Sequence, residues 1–125
     1  MKKFLVYHLP AIGYAALIIA LSSIPELNRS QLKILRFDKV VHFFEYAVFA
    51  FLIYRSFSNL TQRLRDKYVI LLSILVVVLF SMFDEIYQSY VPGRQSDPVD
   101  MIFDILGASC IIILLSFRKK RSRTG

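Results

Sequence analysis

The sequence predicts an all-α integral membrane bundle of four transmembrane helices with both termini cytoplasmic. Three observations lead there. The chain has 125 residues, of which 56% are apolar, with a mean hydropathy of +0.53. A soluble domain holds roughly 45–50%. The excess gathers into four long blocks separated by short polar stretches, and the basic residues cluster at the ends of those blocks. A soluble two-domain enzyme, a disordered chain and a disulfide scaffold are thereby excluded. Cys110, the single cysteine, has no partner for an internal disulfide.

A helix needs about 20 mostly apolar residues to cross a hydrocarbon core of ~30 Å. Four spans satisfy this in a single domain over 1–125, at about 4–22, 40–57, 68–90 and 99–117. Lys2-Lys3 followed by an apolar run and Ala20-Leu21-Ser22 also has the outline of a signal peptide. The run is long for that role and is interrupted by His8 and Pro10, so it reads as a retained anchor.

The net charge of +7 and pI of about 9.8 would suit nucleic acid only on a shared solvated face. Here they follow membrane topology instead. With the N-terminus inside, the inner side holds Lys2, Lys3, Arg55, Arg63, Arg65, Lys67, Arg118, Lys119, Lys120, Arg121 and Arg123. The outer side holds Arg29, Lys33, Arg36, Lys39 and Arg94. The basic tail reads as an anchor on anionic lipid. Nucleic acid is not an expected partner.

The acids lie the other way. Of nine acidic residues, all but Asp66 fall on or near the outer side: Glu26, Asp38, Glu45, Asp84, Glu85, Asp97, Asp100 and Asp104. Carboxylates contribute little to insertion topology, so a site explains the bias better. At 1.5 Å per residue, Glu45, the Asp84/Glu85 pair and Asp104 each lie about 8 Å inside the outer end of their spans. Ionisable groups at that depth face a bundle interior or a wet cavity.

Helical phase agrees with depth. Asp38, His42 and Glu45 are spaced i, i+4, i+7; Asp84 and Glu85 point toward Gln88; Asp100, Asp104 and Gly107 repeat i, i+4, i+7. The stripes are expected to converge on an acidic cavity. In the loop between the last two spans, Pro92-Gly93 signals a turn, and Asp97-Pro98 suits a helix start with Asp97 capping. That loop keeps Arg94 at the mouth, to pair with Asp97 or Asp100, to clamp an anionic ligand, or both.

The candidate catalytic residues are therefore Asp38, His42, Glu45, Asp84, Glu85 and Gln88, and the candidate binding residues Arg94, Asp97, Asp100, Asp104 and Tyr46. Crowded carboxylates can divide into acid and base, with His42 shuttling protons. Oxygen donors from Glu45, Asp84, Glu85 and Asp104 would suit a divalent cation such as Mg²⁺, Mn²⁺ or Ca²⁺. The sequence has no serine elbow, no HExxH and no reactive cysteine. The alternative is a non-catalytic lipid- or solute-binding or transport protein whose polar groups are mainly structural. A transporter of this size would need to form a homo-oligomer. Interhelical hydrogen bonds stabilise a membrane bundle by about 0.6 kcal/mol each, and one or two would suffice.

The chain resembles the VanZ-like family of bacterial membrane proteins. The resemblance rests on Asp38-Lys39-Val40-Val41-His42-Phe43-Phe44-Glu45-Tyr46, on Asp84-Glu85-Ile86-Tyr87-Gln88, on Val91-Pro92-Gly93-Arg94, and on Asp97, Asp100 and Gly107. It implies a small multi-pass protein of the bacterial cell membrane. Its namesake is associated with low-level teicoplanin resistance. The resemblance makes a membrane lipid or lipid-linked envelope precursor the expected partner. The family motif commonly has asparagine where this chain has Asp104, which adds a potential charge at depth.

Overall fold

The computed structural model describes residues 2–25, 35–60, 66–94 and 96–124, without the side chains of 35–38, 60 and 120–124. Five helices follow in order: α1 (Lys2–Tyr7), α2 (Leu9–Ser22), α3 (Leu35–Leu60), α4 (Asp66–Gln88) and α5 (Pro98–Thr124). There is no strand among the described residues. Three helical segments are long and apolar enough to cross a membrane, Lys39–Asn59, Asp66–Gln88 and Pro98–Lys119.

The first apolar block differs from the single span expected over 4–22. It is broken at His8, and α2 alone is a shorter apolar helix. Pro10 is the cause: it has no N–H to donate to the carbonyl four residues back, so one rung of the ladder is missing. The rungs on either side survive, with the His8 N–H donating to Phe4 O at 2.9 Å and the Ile12 N–H to His8 O at 3.1 Å. α3 and α5 run past both of their expected ends, because interface residues continue the helix where the apolar stretch has stopped, whereas α4 starts two residues early and stops at Gln88, two short of the expected 90.

The core is small and mixed. Ile18, Tyr46, Phe49, Ala50, Val77 and Ile112 are fully enclosed. Phe49 and Phe80 pack at 4.8 Å between centroids, with Tyr46 edge-on to Phe49 at 6.1 Å, and this aromatic seam joins α3 to α4. The outer faces are the reverse of a soluble protein: Phe44, Leu71, Leu79, Ile86 and Phe117 are all more than half exposed. Meanwhile Ser73, Ser81, Asp84, Glu85 and Gln88 of α4 are buried. Apolar residues outward and polar residues inward is the pattern hydrocarbon solvent imposes.

α3 and α5 make the most extensive contact in the molecule, and Gly107 permits it. A Cβ at Gly107 would collide with the Phe43 carbonyl oxygen and come within 2.9 Å of its carbonyl carbon. Those atoms are backbone and cannot swing away. At Gly13, by contrast, a Cβ meets nothing within 4 Å. Replacing glycine by alanine in a helix ordinarily gains about 1 kcal/mol, whereas overpacking costs about 1–3 kcal/mol. Gly107→Ala is expected to lower the thermal midpoint in detergent, and Gly13→Ala to leave it unchanged or raise it. Two variants of equal stability would show that the α3–α5 approach is looser than drawn.

Candidate polar cluster at one end of the bundle

The polar stripes of three helices meet at the start of α3, the end of α4 and the start of α5. Three hydrogen-bonded groups form there. In the first, His42 Nδ1 donates to Asp104 Oδ1 at 3.0 Å, and the Ser81 hydroxyl donates to Asp104 Oδ2 at 2.6 Å. One carboxylate thus joins α3, α4 and α5. His42 Nε2 lies 3.9 Å from Asp100 Oδ2, and Lys39 Nζ donates to Asp100 Oδ1 at 2.8 Å and to Asp97 Oδ2 at 3.0 Å.

In the second group, the Gln88 amide donates to Asp84 Oδ2 at 2.8 Å and to the Ser22 hydroxyl at 3.1 Å, bringing in α2. The Tyr46 hydroxyl donates to the same Asp84 oxygen at 3.4 Å. The third group is a staple for the loop. Glu85 Oε2 accepts from the Ser96 hydroxyl at 2.9 Å and from the Asp97 backbone N–H at 3.1 Å. Just outside the cluster, Tyr87 donates to Ser23 Oγ at 2.8 Å, since the Ser23 hydroxyl already donates to Ile19 O.

The loop itself turns at Gly93, whose φ of 81° is a left-handed conformation suited to glycine. Asp97 caps α5 as its sequence position suggests: Oδ1 accepts from the Val99 N–H at 2.9 Å, with Pro98 at the first helical position. Arg94 is half-buried, and its charge bears on Glu45. Glu45 also lies in the field of His42, Asp84 and Asp104, and among the described residues it accepts no hydrogen bond.

The candidate residues His42, Asp100 and Asp104 are therefore gathered into one group, Asp84, Gln88 and Tyr46 into another, and Glu85 holds the loop. Asp38 lies in the first turn of α3, and its side chain is outside the described residues. Among the described residues, no group of three or more His, Cys, Asp or Glu is arranged to hold a metal ion. The oxygens of Glu45, Asp84, Glu85 and Asp104 do not converge because Asp104 turns toward His42 and Glu85 toward the loop.

Sequence reasoning missed four participants. Lys39 was assigned only to topology, yet it holds Asp97 and Asp100, the acids expected to pair with Arg94. Ser22, Ser81 and Ser96 were not singled out. The available signal for Ser81 was its phase, four residues after Val77 and eight after Ser73 on the one buried face of α4.

Among the described residues, two buried acceptors of the cluster have no hydrogen-bond partner, Asp84 Oδ1 and Glu85 Oε1. Both side chains are almost wholly enclosed, with Asp84 at 2% and Glu85 at 6% exposure. Buried polar atoms are normally satisfied, and these two oxygens find no donor among the described residues.

At the rim, the Val99 N–H and then the Lys39 ammonium hold the Asp97 carboxyl below the usual carboxylate range. A carboxyl lowered in the fold stabilises it above the ordinary pKa, and that contribution disappears as pH falls through the folded value. Asp97 is well solvated, so the contribution is at most about 1 kcal/mol. Asp97→Asn, which retains a capping side chain, should lower the thermal midpoint near neutral pH and flatten its decline between about pH 5 and pH 3. Parallel pH profiles for the two proteins would remove the charge from this account.

A family model described as VanZ/LLP1 matches residues 5–119. No curated protein and no solved structure gives a significant match. The matched segment takes in α2 to α4, the loop and nearly all of the apolar part of α5, so it contains every hydrogen bond of the cluster. The chain belongs to the VanZ/LLP1 family of membrane proteins.

Proposed function

We propose that this is a cell-envelope protein of the bacterial membrane that lowers teicoplanin susceptibility by binding, or acting on, a lipid-linked envelope component. In this reading the chain crosses four times with both termini cytoplasmic, and the polar cluster is an acidic pocket at the extracytoplasmic interface. The missing Pro10 rung interrupts the first crossing without ending it. Continued as one rod, residues 2–22 would reach about 30 Å, enough for a bilayer core. The basic flanks set the orientation.

The observation that carries the reading is the pair of orphan acceptors, Asp84 Oδ1 and Glu85 Oε1, buried at interfacial depth. A head group bearing hydroxyl or amine donors would satisfy them. Arg94 would meet its phosphate or carboxylate. Candidate catalytic roles stay with His42, Glu45, Asp84 and Glu85, where a carboxyl or imidazole would move a proton on the bound head group.

A second reading draws on the closure of the hydrogen bonds onto one another. His42, Ser81 and Asp104 satisfy each other, as do Gln88 and Ser22, which suits a non-catalytic binding or transport protein held together by these groups.

Expression of wild type and Asp84→Asn in a Gram-positive host at matched membrane levels separates the two. The first reading expects a several-fold rise in the inhibitory concentration of teicoplanin for wild type and none for the variant. Equal protection would make Asp84 dispensable, and no protection by either would mean that the namesake's activity does not extend to this chain. If Asp84→Asn fails to accumulate in the membrane, the second reading holds. A turnover-dependent change in lipid mass would mark an enzyme, and stoichiometric lipid retention a receptor.

A further inference from the structure

The opposite end of the bundle carries a second polar site with the reverse chemistry. There α1, α3 and α5 line an open groove of about 310 Å³. Phe51 and Leu115 give it apolar walls, and its polar lining comes from Tyr54, Arg55, Ser58 and Asn59, with Lys119 at the edge. Among the described residues, no carboxylate lines it. Lys119 Nζ is paired with Asp66 Oδ1 at 2.7 Å. The Arg55 guanidinium lies 5.0 Å over the Tyr7 ring, and no carboxylate among the described residues pairs with it.

Two hydroxyls in this lining, Tyr54 OH and Ser58 Oγ, are buried without a hydrogen-bond partner. Tyr54 is only 6% exposed, so water does not compensate it. A guanidinium, two unused hydroxyls and an amide can all donate, and none of them carries a negative charge. Its complement is an acceptor-only anion, and a phosphate offers several oxygens to such a set.

We propose that this groove binds the phosphate of an anionic phospholipid head group. Depth favours a lipid over a dissolved anion. Arg55, Ser58 and Asn59 belong to the last turns of the Lys39–Asn59 span, and Lys119 ends the Pro98–Lys119 span, so the donors stand at head-group level. Phe51 both lines the groove and is exposed on the outer apolar face, which gives an acyl chain a route away from the head group. A bare phosphate would fill only part of the volume. Basic sites between membrane helices commonly take anionic head groups. This site shares no residue with the acidic end and stands whether or not that end binds a ligand.

The test is lipid retention by the full chain in detergent, read by native mass spectrometry after exchange into phosphatidylglycerol, phosphatidylcholine or inorganic phosphate alone. Wild type is expected to keep phosphatidylglycerol in preference to phosphatidylcholine. Arg55→Gln should lower that retention about tenfold and Ser58→Ala about threefold, with Arg55→Lys restoring part of it. Ser58→Ala changes little volume and keeps the test usable if Arg55→Gln does not fold. Tyr54→Phe should weaken retention while leaving the lipid-free thermal midpoint unchanged or higher, because its hydroxyl has no partner to lose. Equal retention of the two lipids would overturn the proposal, as would unaltered retention in Arg55→Gln and Ser58→Ala. So would inorganic phosphate displacing the lipid at comparable concentration.

Discussion

The Asp104 carboxylate is the constraint on which the polar end depends. It is 1% exposed, on a helix otherwise surrounded by apolar residues, and a charge in such a place costs several kcal/mol unless it is paired and hydrogen-bonded. Both of its oxygens are used, one by His42 of α3 and one by Ser81 of α4. Three helices must therefore meet at one height and in one rotation. The close passage of α3 across Gly107, one turn below Asp104, brings the His42 backbone near enough for that contact. Small-residue packing and polar pairing are thus two parts of one arrangement.

From that junction the remaining polar groups follow by position. Asp100 is one turn above Asp104 on the same face, so it comes within reach of Lys39, which precedes His42 on α3. Lys39 then extends to Asp97, and Asp97 caps α5. Glu85 is fixed on α4 beside Asp84 and takes the loop through Ser96 and the Asp97 N–H. The loop is held at its Ser96–Asp97 end, and the charge of Arg94 bears on Glu45.

Much of this was legible before the structure. The helical class, the three long spans and the phase of His42, Glu45, Asp84, Asp100 and Asp104 all follow from periods of 3.6 residues and from where hydrocarbon ends. The cap at Asp97 was legible because Asp-Pro at a helix start has one local geometry. Ser81 was not, because a single serine in an apolar helix has the same sequence context whether it faces a carboxylate or its own backbone, as Ser73 does. Lys39 was misjudged for a different reason: counting cations gives the side of the membrane and is blind to which acid each one meets. The interruption at His8 and Pro10 was visible, but it was weighed only against a signal peptide, and apolar content alone ignores a missing hydrogen bond in the helix.

The two ends of the bundle answer one requirement in opposite ways. At the end where α4 finishes and α5 begins, carboxylates exceed the cations beside them, and the acceptors Asp84 Oδ1 and Glu85 Oε1 remain unused. At the end where α3 and α5 finish, among the described residues, no carboxylate matches Arg55 and the Tyr54 and Ser58 hydroxyls remain unused. A chain selected only for stability would fill either position with leucine or alanine at little cost, since replacing unsatisfied polar groups by apolar ones of similar shape is neutral or stabilising. Structural glue accounts for His42, Ser81 and Asp104, which satisfy one another. It does not account for the single atoms left without a partner among the described residues, and those lie at the two ends of the apolar spans.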